Sequence, residues 1–115
     1  MNSANEHFSQ YTGTEHYYKH CTGILYTDGV KAIAEHCSAY WLIDLIVSWQ
    51  VYKKVNCEPF QQWKLSRVND THFKVAATDG NSNSIATQDI PFSDFPYDEC
   101  TIWVCDQIIL LPSEY

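Results

Sequence analysis

After Lys74 this chain contains no lysine and no arginine. All seven basic residues lie in positions 1–74, where seven Asp and Glu balance them. Residues 75–115 carry only acids: Asp79, Asp89, Asp94, Asp98, Glu99, Asp106 and Glu114. A surface of one sign repels phosphate and attracts cations and basic surfaces, so direct contact with a nucleic-acid backbone is excluded and a basic partner is favoured. Long apolar runs are missing too. The longest, Tyr40 to Val51, is interrupted by Asp44, Ser48 and Gln50 and falls short of the roughly 20 residues that span a bilayer. Met1 to His7 have neither a basic start nor an apolar core, so no signal peptide is expected and the reading is of a soluble, cytoplasmic protein away from membranes. The glycines Gly13, Gly23, Gly29 and Gly80 stand too far apart for a phosphate loop or a dinucleotide fingerprint. There is no Cys-x-x-Cys, and the five cysteines, Cys21, Cys37, Cys57, Cys100 and Cys105, are odd in number. That speaks against a disulfide framework and for buried free thiols acting as small hydrophobes.

What is present suits one folded unit. At 115 residues, 45% hydrophobic and 15% aromatic, residues 1–115 read as a single domain with a real core, and 1–11 as a flexible N-terminus. Thr12-Gly13-Thr14-Glu15 fits a capping box and predicts a helix over 13–21, with Glu15 and Lys19 paired one turn apart. The two adjacent tyrosines leave extended structure open there. Thr27-Asp28 predicts a second helix over 28–37, with Val30, Ile33, Ala34 and Cys37 as its apolar stripe. A third, 39–52, capped by Ser38, is apolar nearly all round and reads as the spine of the fold. After Pro59 the period changes from 3.6 to 2. Strands are expected around Trp63–Arg67, Phe73–Ala77, Ser84–Ile90, Cys100–Cys105 and Ile108–Leu111, with turns at Asn69-Asp70, Asp79-Gly80-Asn81 and Asp106-Gln107. Helices first and strands after predict an α+β domain: N-terminal helices on a five-stranded antiparallel meander.

Four groups of residues could carry chemistry. His16 and His20 would share one helix face and could hold a metal, although no third ligand in a known zinc-helix pattern follows and no metal or cofactor is expected. Asp44, inside the apolar helix, would need a donor, with Tyr40 and Ser48 one turn either side. Asp28 and Glu15 suit helix starts. Asp94, Asp98 and Glu99 beside Phe92, Phe95 and Tyr97 combine carboxylates with aromatics and are the candidate partner-binding surface.

Several blocks together resemble a family of small bacterial and mobile-element proteins of unknown function. They are Thr14 to His20, Tyr26-Thr27-Asp28-Gly29-Val30-Lys31, Ala39 to Asp44, Phe60 to Leu65, Asp94-Phe95-Pro96 and Leu111-Pro112-Ser113-Glu114-Tyr115. The resemblance implies a stand-alone domain and carries no catalytic role. The leading expectation is a non-enzymatic interaction module, encoded by a phage or plasmid and inhibiting a host protein through the acidic, aromatic surface. The alternative is a small metal-dependent or acid–base hydrolase using His16, His20 and Asp28 or Asp44. Self-association across a sheet edge is compatible with either.

Overall fold

Seven strands form one mixed sheet in the computed structural model, which describes residues 3–20 and 22–115. In chain order the elements are α1 (Ala4–His7), β1 (Tyr17–Lys19), β2 (Leu25–Thr27), α2 (Asp28–His36), α3 (Tyr40–Trp49), α4 (Lys53–Asn56), β3 (Phe60–Arg67), β4 (Phe73–Thr78), β5 (Ser84–Ile90), β6 (Glu99–Cys105) and β7 (Ile108–Leu110), followed by a 3₁₀ turn, Pro112–Glu114. The strands lie in the order β1-β2-β7-β6-β3-β4-β5. Only β2 and β7 run parallel.

The C-terminal strands form where period 2 placed them, but they do not make a meander. After the β3-β4-β5 run, β6 returns to lie beside β3, giving β6-β3-β4-β5, the 4-1-2-3 order of a Greek key. The reason lies in the side chains. β3 and β6 alternate strictly, burying Trp63 and Leu65 on one and Cys100, Ile102 and Val104 on the other. Placing them side by side puts the most apolar faces at the sheet centre. β5, exposed from Thr87 to Asp89, is left at an edge. The connector 91–98 contains Pro91 and Pro96, which cannot donate to a ladder and so favour a crossing over a hairpin.

The predicted helix over 13–21 is a loop leading into β1, and Cys21 lies outside the described residues. Its start signal has other work. The Thr14 hydroxyl donates to the His16 carbonyl and accepts from the Asp28 backbone N–H, so the segment is pinned to the start of α2. β1 and β2 then extend the sheet beyond β7, two strands the meander lacked.

Helix α2 matches its expectation to within a residue, and α3 is shorter than the predicted 39–52: it stops at Trp49, and α4 is a separate turn. Ser38 is not its cap; Ser38 takes φ 51° and Ala39 precedes the helix. Leu42, Ile43, Leu45, Ile46 and Val47 are buried, as a spine requires. They join α2 and the inner faces of β3, β4 and β6 in one apolar cluster. Ahead of them, Ala4 and Phe8 are buried in the same cluster. There the Asn5 carboxamide bonds Thr101 twice, accepting from its N–H at 2.6 Å and donating to its carbonyl at 2.8 Å. Asn5 thereby acts as a one-residue strand on the stretch of β6 that β7 does not reach.

Candidate functional site

The connector 91–98 and the β3–β4 turn meet at one end of the sheet, joined by the Ser93 N–H to the Thr71 carbonyl at 2.9 Å. Arg67, at the end of β3, organises both. Its Nε donates to Asp98 Oδ1 at 3.0 Å, Nη1 to the Asp70 carbonyl at 2.7 Å, and Nη2 to the Phe95 and Tyr97 carbonyls at 2.8 and 3.2 Å. The guanidinium also lies 4.6 Å from the centroid of the Phe73 ring. A planar fork with five N–H groups can gather several loop carbonyls at once, which a lysine cannot.

This end of the sheet separates the six residues expected to bind a partner. Phe95 is 1% exposed and packs edge-on against Phe73. Tyr97 is half-buried against Phe8 and Phe95. Asp98 faces Arg67, and Glu99 sits 3.6 Å from Lys64 Nζ. Phe92 and Asp94 point outward, Phe92 at 75% exposure. Exposed Val68 and Asp70 come from the adjoining turn, and Asp89, 3.7 Å from His72 Nε2, from the end of β5. A cleft of about 410 Å³ lined by Ser66, Arg67, Val68, Asp98 and Glu99 opens beside them. The tip is therefore two exposed apolar side chains framed by carboxylates, on a backbone fixed by Arg67.

A second concentration of charge lies along α2. Asp28 accepts from the backbone N–H of Glu15 at 3.0 Å and of His16 at 3.3 Å. The Glu15 bond chiefly holds its carboxyl below the usual range, with the Tyr18 phenol adding to it. The same contact with Asp28 raises the Tyr18 phenol. Burial alone would lower the Lys31 ammonium, but the Tyr18 and Glu35 charges outweigh it; Lys31 stands 3.4 Å from Glu35 and 4.3 Å from the centroid of the Tyr18 ring. These groups, with Tyr11 and His36, line a cleft of about 430 Å³ whose charges answer one another.

The two histidines face different carboxylates: His16 Nδ1 lies 3.9 Å from Asp28, and His20 Nε2 lies 2.8 Å from Asp44. They flank β1 rather than sharing a helix face, so the one-turn spacing expected of a shared metal ion is absent. No group of three or more His, Cys, Asp or Glu among the described residues could hold a metal. Asp44 is exposed rather than enclosed by the apolar helix, and Ser48 donates to the Leu45 carbonyl instead. Of the cysteines, Cys37 and Cys100 are buried, and burial raises their thiols to about 11 and about 12; Cys57 is exposed, contrary to expectation.

Sequence reading missed Glu114. Its carboxylate accepts from the Thr27 hydroxyl at 2.6 Å, the Gly29 N–H at 3.1 Å and the Leu111 N–H at 3.0 Å. It thus caps α2, the role Thr27 was expected to fill. A Cβ on Gly29 would lie 2.7 Å from Glu114 Oε1 and 2.8 Å from Leu111 Cδ1, so any larger residue must displace the capping carboxylate or the Leu111 side chain. The Thr-Asp-Gly-Val and Leu-Pro-Ser-Glu-Tyr blocks are two halves of this contact.

Residues 2–115 match a family of unknown function, DUF6876, and the chain belongs to it. No curated protein and no solved structure matches significantly. Among the described residues no helix is long and apolar enough to cross a membrane.

Proposed function

We propose that this DUF6876 member is a non-enzymatic interaction module that docks on a basic protein surface through the Phe92 tip. The observation that carries the reading is Phe92 itself, a large ring three-quarters exposed on a connector whose neighbours are fixed by Arg67 and by the Ser93–Thr71 bond. An aromatic anchor held in place loses little entropy on binding, and a polar rim sets the partner's charge. Here the rim is Asp70, Asp89 and Asp94, and the exposed Lys74 is paired in register with Asp89. Repression of a host protein by a phage- or plasmid-encoded factor is the setting this suits. Genes for phage or defence functions beside it would support that setting; a stable metabolic operon would argue against it.

The test is capture of partners from host lysate at low and high salt, with the natural protein, Phe92→Ala and Asp94→Asn. A specific basic partner should be retained at low salt and weaken as salt screens the rim. Phe92→Ala should lower affinity at least about tenfold, the usual scale of an aromatic anchor. Capture indifferent to both changes defeats the proposal.

A further inference from the structure

The outer face of the β3–β6 pair carries a pocket of about 390 Å³, lined by Ser3, Asn5, Gln62, Thr101, Trp103 and Ser113, with Pro112 at one side. It shares no residue with the Phe92 tip. Unlike the clefts at Arg67 and along α2, its wall holds no ionisable side chain. The indole Nε1 of Trp103 is the one fully buried side-chain nitrogen or oxygen without a hydrogen-bond partner among the described residues. Such groups are rare because leaving a buried donor unmatched is costly, and an acceptor outside the chain is an ordinary resolution.

The neighbouring side chains extend the argument. Gln62 stands directly opposite Trp103 across the β3–β6 ladder, and Thr101, two residues before Trp103, shares its face. No hydrogen bond within the described residues engages the Gln62 carboxamide or the Thr101 hydroxyl. By contrast the rim is fastened. Asn5 is bonded to the Thr101 backbone, and Ser113 donates to the Tyr11 carbonyl at 2.6 Å. Phe60 and Tyr115 hold the indole edge-on at 5.1 and 5.6 Å between ring centroids. Of these two rings Tyr115 is the exposed one, at 81%; reaching Nε1, which is closed to solvent, requires the side chains around it to move.

We infer that this pocket binds a small neutral ligand rich in hydroxyls, a saccharide ring, with Trp103, Gln62 and Thr101 as the recognising groups. A charged ligand would lose its hydration and find no counter-charge in the wall, since Lys64, opposite Thr101 in register, is already 3.6 Å from Glu99. A purely apolar one would leave the amide, the hydroxyl and the indole N–H unmatched. A sugar ring offers acceptors and donors on its edge and C–H groups on its faces, which suits an aromatic floor with amide and hydroxyl neighbours. The space accommodates a ring or two, within the usual range of small-molecule sites.

The experiment is a titration of the full chain, labelled with nitrogen-15, followed at its tryptophan indole signals. The probes are methyl β-glucoside and N-acetylglucosamine, with glucose 6-phosphate as the charged counterpart. Trp103 is assigned by the signal lost in Trp103→Phe. A saturable shift of Trp103, with the indoles of Trp41, Trp49 and Trp63 unmoved, is expected for at least one neutral sugar. Gln62→Ala, a partly exposed position, should keep the fold and weaken that binding about fivefold. No saturable shift up to about 50 mM overturns the inference. So does equal binding by Gln62→Ala, or glucose 6-phosphate binding as tightly as the neutral sugars.

Discussion

Around β3, β4 and β6 the protein is held by apolar contact: Trp63, Leu65, Phe73, Val75 and Ile102 are each at most 2% exposed. The β1–β2 flank with the start of α2 is held differently. There Asp28 ties down residues 15 and 16, and Glu114 ties together Thr27, Gly29 and Leu111. Apolar burial is non-directional, and its strength follows the area removed from water. Carboxylates accepting backbone N–H groups are directional and depend on charge, so that flank is precise in geometry, sensitive to single atoms and, at Asp28, to pH.

The sharpest way to break the comparison is in the core. Phe73→Ala should destabilise by about 3 to 5 kcal/mol, read as a lower urea midpoint, because a ring with no exposure leaves a cavity. Next comes Arg67→Ala, which leaves the carbonyls of Asp70, Phe95 and Tyr97 without their donor. A loss of about 2 kcal/mol is expected, with faster amide exchange confined to the connector 91–98. On the polar flank, Glu114→Ala should cost about 1 to 2 kcal/mol as the α2 cap is lost. Gly29→Ala should be costlier in the natural protein than beside Glu114→Ala, since the incoming methyl collides with the carboxylate. A double-mutant cycle with no coupling would show that the two blocks do not act as one.

The smallest effect is the pH dependence of Asp28. Its folded-state pKa is depressed, so its contribution is fully present above the ordinary carboxylate value, about 3.9, and disappears as pH falls through the lower folded value. The stability difference between the natural protein and Asp28→Asn should therefore be flat from pH 7 to about 5 and shrink below about pH 4. A difference unchanged at pH 3 would mean that the carboxylate's charge plays no part in holding the loop.

The flanks also differ in how far they could be read in advance. β3, β4 and β6 announce themselves by alternation over neighbouring residues and β7 by a short apolar run, and their turns by local chemistry: Asp106 and Gln107 take φ 49° and 68°, the conformation of a two-residue hairpin turn. β1 and β2 are three residues each and exist because β7 pairs with β2 from more than 80 positions away. No window of local sequence contains that partner. Of the candidate surface, the acidic and aromatic composition was legible, but its division was not. Phe92 and Phe95 have similar neighbours, and only the packing of Phe73 under the connector assigns one to solvent and the other to the core.

The sequence by itself determined which segments are strands in the C-terminal half, where the buried helix lies and on which side of Lys74 the charge falls, because these depend on periodicity and composition. Tertiary structure alone decided that β6 crosses back beside β3, that a capping box becomes a loop tied to Asp28, and that Glu114 rather than Thr27 closes α2. Hydrogen-bond donors and acceptors are satisfied by whichever group folding brings within reach, and for these residues that group comes from a distant part of the chain.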